Sequence, residues 1–421
     1  MGGEVRARPK ILLITKLSPD GATSGSVLRV RHTAAGLALA GDVDCLHWHP
    51  VPWSRDISVE TREVDWNGPT PGARLIRTSV RGVPSRLNRA YGAAWIAAAR
   101  ARGVGAVLPF EISRSGRPHG ATMRRLVRTA EGYDLLWFFK LDPAVALLPL
   151  LDAHRPAVVD LDDLLHLSLD EPPAATELDR LDRESWWAAF HAVERKADLL
   201  TAANPEEAAR LGPHVTVVPN GTRVPTEIVA RVPGRRPVLT FVGLMRYAAN
   251  SDGATWLVQE IVPELRRSLG DDFEVRIVGE ATPSVRALAA DPNVTVTGFV
   301  DDVDDELTRS DLAIVPLSSG TGTRLKILEA FAHSLPVVST TVGAEGLDVT
   351  SGEHLLLADT SSEFASACAR LLADQPLRMH LTAAARRLVE SAYDWRLIER
   401  SIGDLALGVL ETDAQPTTDS L

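Results

Sequence analysis

Arg324, Lys326 and Glu329 follow closely behind a segment of small polar residues, Ser318-Ser319-Gly320-Thr321-Gly322-Thr323. The apolar spacing beyond them predicts a helix over about 323–333. Thr323 is its expected N-cap, with a hydroxyl that accepts from an unpaired first-turn N–H. Two cations then stand in the first turn, where the helix dipole already presents about half a positive charge, at a cost of up to ~1 kcal/mol each. A bound anion removes that conflict, since dipole, cations and the amides of Gly322, Thr323, Arg324 and Leu325 together make a phosphate site. Glu329 lies three residues beyond Lys326 on the same helix face. There its carboxylate can accept from ligand hydroxyls beside the phosphate. Phosphate adjoining hydroxyls is nucleotide-sugar chemistry. The plainer alternative for Lys326 and Glu329 is a surface ion pair worth ~0.2–0.5 kcal/mol.

A second concentration of polar groups is Asp160-Leu161-Asp162-Asp163, with His166 behind it. It closes a short apolar run, and ligands of parallel sheets bind at the carboxyl ends of strands. Asp162 is the member expected to face a ligand; helix capping is its ordinary alternative. Near the N-terminus, Thr23-Ser24-Gly25-Ser26 leads from an apolar strand into a helix that carries Arg29, Arg31 and His32. One secure glycine does not make a dinucleotide fingerprint. The acidic run Asp301-Asp302-Val303-Asp304-Asp305 has the composition of a loop entering a helix.

The elements that must position these residues alternate short apolar runs with longer amphipathic ones, as parallel sheets with crossover helices do. A first series of strands is expected at 11–15, 43–47, 135–139, 157–161, 199–202 and 215–218. A second is expected at 238–242, 274–278, 294–297, 312–315 and 337–339. At 421 residues the chain exceeds one comfortable core. The expected division is an N-terminal domain over 1–222, a Pro/Gly/Arg-rich linker over 223–237, a second domain over 238–390, and a crossover helix with a polar tail over 391–421.

Composition excludes several classes. A net charge of −10 argues against general nucleic-acid binding. Cys45 and Cys368 are the only cysteines, far apart and without metal-ligand spacing, so no metal site or disulfide framework is expected and a reducing cytosol is. No stretch approaches the ~18–20 apolar residues of a membrane helix. Charge is uneven, however: residues 74–128 hold twelve arginines against Glu111 alone, whereas 160–184 hold nine acids. The basic stretch is either a set of solvated helix faces or a surface for an anionic acceptor or anionic membrane.

Glu329-Ala330-Phe331-Ala332-His333-Ser334-Leu335-Pro336-Val337-Val338 resembles the donor-site motif of the family-four (group 1) retaining glycosyltransferases. Pro219-Asn220-Gly221, Leu239–Gly243, Val296–Val300 and Asp311–Pro316 resemble further segments of that family in the same order. The resemblance implies the GT-B fold, α/β with two Rossmann-like domains facing across a cleft and a C-terminal helix crossing back. It implies that Glu329 contacts the nucleotide ribose, and that the loop at Gly25 approaches donor phosphate or acceptor. The backbone at Val300 would read the base, with Asp302 placed to accept from a guanine edge, so the donor is expected to be UDP- or GDP-linked. Arg29, His32 and His166 are the expected acceptor-side residues, and Arg324, Lys326 and Asp162 the catalytic ones.

This sequence also departs from the family. Thr321 stands where the family has its first Glu, and Leu244 and Asn250 stand where it has its phosphate-binding Arg and Lys. Arg246 is a nearby substitute, and Arg324 and Lys326 can supply the charge from the opposite loop. The implied function is a metal-independent, cytoplasmic or inner-membrane-peripheral transferase that moves a sugar from a nucleotide-sugar to a hydroxyl acceptor without any cofactor. The acceptor class stays open. An epimerase or hydrolase of the same fold, or a catalytically silent relative, are the alternatives.

Overall fold

The computed structural model describes residues 7–20, 25–51, 61–65, 68–71, 73–81, 88–115, 120–151, 154–162, 167, 176–228, 236–320 and 322–413. The chain divides into two compact units, Met1–Val218 with Glu399–Leu421, and Pro219–Ile398. The Pro219-Asn220-Gly221 turn therefore belongs to the second unit, where Thr222 N–H donates to the Tyr393 carbonyl at 2.8 Å.

The first unit is built on an eight-stranded sheet. Its strands are β1 (Lys10–Thr15), β2 (Asp42–Val51), β3 (Thr61–Asp65), β4 (Arg74–Arg81), β5 (Leu135–Phe139), β6 (Ala157–Asp160), β7 (Leu199–Ala202) and β8 (Val215–Val217). Their order is β3-β4-β2-β1-β5-β6-β7-β8. Every pairing is parallel except β3 against β4. Leu135–Phe139 is buried at all five positions, the continuous apolar run that a strand covered on both faces requires. The final segment joins this unit through Gly36 on the Gly25–Ala40 helix. A Cβ there would stand 2.6 Å from the Glu399 carbonyl oxygen and 2.8 Å from Ile402 Cβ, so only glycine permits the approach.

The second unit is a six-stranded, all-parallel sheet of β9 (Val238–Val242), β10 (Glu274–Val278), β11 (Val294–Gly298), β12 (Leu312–Val315), β13 (Val337–Ser339) and β14 (Leu356–Leu357). The order β11-β10-β9-β12-β13-β14 is that of a doubly wound Rossmann sheet. The progression of strand order reverses between β9 and β12. A crevice opens outside the carboxyl ends of strands at such a switch point. The loops leaving β9 and β12 are the ones holding Gly243–Asn250 and Pro316–Arg324.

Three expectations change. The C-terminal segment, expected as a second domain to 390 and then a crossover helix, holds two helices, Gln375–Leu388 and Trp395–Asp413, separated by a π-helical turn at Val389–Tyr393. The break falls at Asp394, whose carboxylate accepts from Arg396 N–H at 2.9 Å. Glu411–Asp413, expected in the polar tail, are helical, and 414–421 lie outside the described residues. Within the basic stretch, Arg74 and Arg77 pair with Asp44 and Asp20, and Arg100 with Glu177 of the acidic segment. Trp95, Ala99 and Leu181 form a small shared core beneath that contact. The two charge runs thus partly neutralise one another, while Arg124, Arg125 and Arg128 face outward from the Gly120–Ala130 helix without an ion pair among the described residues. Also among these residues, no helix is long and apolar enough to cross a membrane.

Candidate active site

The donor-type segment folds as a loop, a helix over Leu325–Ala332, and strand β13. The helix starts later than its spacing predicts. Arg324 is the N-cap residue, without a side-chain cap, and Thr323 lies before it. The Thr323 hydroxyl instead accepts from Asn220 Nδ2 at 3.1 Å, which ties the loop to the turn that opens this unit. Gly320 takes φ 113°, and a side chain there would press on Tyr247 Oη and the Arg324 guanidinium at 3.2 and 3.5 Å. Gly322 also has positive φ, with open space around it. Thr321 lies outside the described residues.

Arg324 corrects the picture of two first-turn cations. Its side chain is buried, and Nη2 donates to the carbonyls of Gly320 at 2.8 Å and Val342 at 3.0 Å. Glu345 Oε2 stands 3.7 Å away. Burial pushes the guanidinium below its usual pKa, against the pull of Glu345 and Tyr247. Arg324 shapes the loop between β12 and the helix and contributes its positive field at short range.

Lys326 is the cation at the helix start. Its Nζ donates to Asn250 Oδ1 at 2.7 Å and lies 4.7 Å from the centroid of the Phe241 ring on β9. Asn250 in turn donates from Nδ2 to the Leu244 carbonyl at 3.0 Å. This amide, recognised in the sequence only as a missing lysine, therefore joins the two loops that flank the switch point. Burial, reinforced by the Arg324 charge and opposed by Glu329, brings Lys326 down to about 7.

Glu329 is half-buried, and no hydrogen bond or ion pair reaches its carboxylate among the described residues. The i,i+3 pair with Lys326 is not formed. Burial and the Asp304 carboxylate hold Glu329 above the ordinary Glu range, with Lys326 and His333 opposing. His333, one turn further along, meets Asp304 Oδ1 at 3.0 Å, and Arg223 pairs with the same carboxylate. His333 and Arg223 accordingly keep Asp304 below the usual carboxylate range. Lys326, Glu329 and His333 make one polar stripe, satisfied at both ends and open at Glu329.

The remaining donor-side residues are less enclosed. Arg246 is exposed, with Glu280 at 3.9 Å. Val300 is half-buried in the loop after β11. Asp302 caps the Val303–Arg309 helix, accepting from Asp304 N–H at 2.9 Å, so one of its oxygens already serves the fold. Leu325 opens the Leu325–Ala332 helix, and its amide, expected to hold phosphate, instead donates to the Thr323 carbonyl at 3.0 Å.

In the first unit, Gly25 opens its helix, and the preceding 21–24 lie outside the described residues, as do Asp163 and His166. Arg29 is not an accessible acceptor-side cation. It is fully buried and binds Asp160 through two bonds, Nε–Oδ2 at 3.0 Å and Nη2–Oδ1 at 2.8 Å. Thr201 Oγ1 and the Asp162 amide also donate to Asp160 Oδ1. Asp162 adopts a left-handed φ of 58° beyond the end of β6. Its Oδ2 accepts from Ser26 Oγ at 3.1 Å and stands 3.4 Å from Lys140 Nζ. Lys140, unremarkable in the sequence, also has positive φ, at 70°. Two strained non-glycine residues thus face each other at adjacent strand ends, a concentration typical of functional sites. His32 is held by Glu399, Nδ1 to Oε1 at 2.7 Å.

Residues 236–374, which include every donor-side loop after β9, match the family model for group 1 glycosyl transferases. The second unit carries a group 1 glycosyltransferase domain. Over nearly the whole chain the fold is GT-B. Sucrose-phosphate synthase from Thermosynechococcus elongatus superposes with a TM-score of 0.67 at 19% identity, covering 96% of this chain and 100% of that one. Anabaena HepE in complex with UDP and glucose gives 0.61 at 16% identity, covering 94% and 99%. An Escherichia coli trehalose-6-phosphate protein bound with UDP-2-fluoro glucose gives 0.61 at 11% identity, covering 94% and 99%. An uncharacterized 44.6 kDa protein of the Klebsiella pneumoniae cps region is 27% identical over 134 residues, a match spanning 30% of this chain and 34% of that protein.

Proposed function

We propose that this protein transfers a sugar from a nucleoside diphosphate-sugar to a hydroxyl acceptor, with retention of anomeric configuration and without a metal ion. The observation that carries the reading is the Lys326 ammonium at a helix start beside the Rossmann switch point, with an unpartnered carboxylate one turn behind it. An ammonium suits the diphosphate and a carboxylate beside it suits the ribose hydroxyls. UDP or a UDP-sugar in the solved relatives supports a nucleotide donor. In the reaction, negative charge grows on the departing diphosphate, and fixed donors that meet it there lower the barrier. Lys326 and the loop amides of Gly322 and Thr323 fill that role, with Arg324 holding the loop; the Leu325 amide is taken, donating to the Thr323 carbonyl at 3.0 Å. Asp162, aimed by Ser26 and Lys140, is the residue proposed to orient the acceptor hydroxyl.

A thermal-shift panel of nucleoside diphosphates tests the site and names the base together. A true ligand at a hundredfold excess over its Kd adds ~2.7 kcal/mol, a shift of several degrees. UDP or GDP is expected to give it. A panel in which neither moves the transition would remove the donor assignment.

The depressed Lys326 adds a pH signature. A bound diphosphate favours the ammonium and raises its pKa above the free-site value of about 7. Below that value the site is charged with or without ligand, and affinity is flat with respect to this group. As pH rises from about 7 toward the pKa in the complex, binding must take up a proton, and affinity falls by up to ~10-fold per pH unit. Isothermal titration across this range in buffers of different ionisation enthalpy should show proton uptake. An affinity that holds constant would place the ammonium away from the phosphates.

A further inference from the structure

Building on the donor reading, we propose that Asn250 is a positioning residue for the diphosphate, acting through Lys326, and that the place of the ammonium rather than its parent helix defines the site. Asn250 is buried on the Ala248–Trp256 helix and uses both ends of its amide, Nδ2 on the Leu244 carbonyl and Oδ1 on Lys326 Nζ. Its donor end fixes the plane of the amide, so the acceptor end can hold the ammonium in one position only. The Phe241 ring closes the other side. An ammonium has three donors, and its hydrogen bond among the described residues is the one to Asn250, which leaves N–H groups for a ligand. A free lysine side chain samples many rotamers. Asn250 removes that freedom before the ligand arrives, which is how preorganisation favours binding.

Because the two side chains meet end to end at 2.7 Å, exchanging them should return an ammonium to the same point from the other helix. The exchange conserves the volume and charge of the pair, the kind of swap a packed interior tolerates best.

Dissociation constants for UDP and GDP, titrated in parallel by calorimetry, test this. Lys326→Asn alone is expected to weaken the better-bound nucleotide by ~30-fold or more, as loss of a charged hydrogen bond does. The exchanged N250K/K326N is expected to return within about fivefold of the native protein, since the charge–phosphate geometry is restored. If Lys326→Asn leaves both nucleotides bound as before, the donor reading itself fails. A Lys326→Asn loss that the folded exchange variant does not recover overturns the positioning proposal alone. Asn250→Leu covers the case in which the exchange does not fold. It fills nearly the same space and keeps the net charge but cannot accept from the ammonium, so Lys326 is no longer held and affinity should fall ~5-fold or more. A merely structural asparagine would leave affinity at the native value, and that result would also overturn the proposal.

Discussion

Replacing Lys326 with Ala is expected to lower the rate of donor turnover ~10²–10³-fold, the usual effect of removing one preorganised donor from a developing oxyanion. Turnover is read as transfer, or as slow donor hydrolysis where no acceptor is supplied. Arg324 cannot compensate, because its guanidinium is committed to the carbonyls of Gly320 and Val342. Lys326→Met separates charge from packing. Its unbranched chain still covers Phe241, and it should lose turnover about as severely as the alanine variant.

The same methionine variant should melt higher than the native protein when free of ligand at neutral pH. Lys326 falls from 10.5 unfolded to about 7 folded, so the unfolded chain binds more protons between those values. Native stability therefore rises with pH across that window, while the methionine variant has nothing there to titrate. The advantage of Lys326→Met should be full at and below about pH 7 and vanish as pH approaches 10.5. A gain in stability at the expense of function is the expected signature of a site residue. A rate loss of tenfold or less would make the ammonium peripheral.

Much of this fold was legible because strands covered on both faces must be short apolar runs. Leu135–Phe139, Leu199–Ala202, Val238–Val242 and Leu312–Val315 lie where that rule places them. Thr61–Asp65 and Arg74–Arg81 escaped it. They form the β3-β4 edge of the first sheet, and their sequences, TREVD and RLIRTSVR, mix polar and charged residues with apolar ones instead of making an apolar run. Arg74 and Arg77 were counted as part of a basic surface, although each is paired to an acid distant in sequence. Strand order was legible only through the family resemblance, since nothing local records that β9 lies between β10 and β12.

The candidate site shows the same limit. Residue types placed Lys326 and Glu329 correctly on one helix face, but spacing could not reveal what each side chain meets. Arg324 and Lys326 look equivalent in sequence. The helix start separates them, sending one under the loop and leaving the other above Phe241. Asn250 read as a deficit because its partner lies 76 residues away. The signal that could have found it is an amide side chain at a helix start just beyond a glycine-ended strand.

Arg29→Met should be the most destabilising of these substitutions, by ~3–5 kcal/mol, because it strands the buried Asp160 carboxylate. Arg29 and Asp160 are both fully buried, and the guanidinium supplies two of the bonds the carboxylate accepts. The hydroxyl of Thr201 and the amide of Asp162 remain, but neither is charged. The double variant R29M/D160N removes the uncompensated charge and should regain much of the loss, so the two substitutions should be strongly non-additive in a double-mutant cycle. Urea midpoints of the full chain give the order: native, then the double variant, then Arg29→Met. The double variant should also keep native affinity for the nucleoside diphosphate, whose proposed contacts lie wholly in the second unit. A folded Arg29→Met protein of native midpoint with impaired acceptor use would reverse the assignment and return Arg29 to the reacting groups. The structure argues otherwise, because the pair also fixes Asp162: its amide bonds to Asp160 while its backbone is held at φ 58°. Loosening Arg29 should therefore reach the acceptor side only by letting that strained carboxylate turn away.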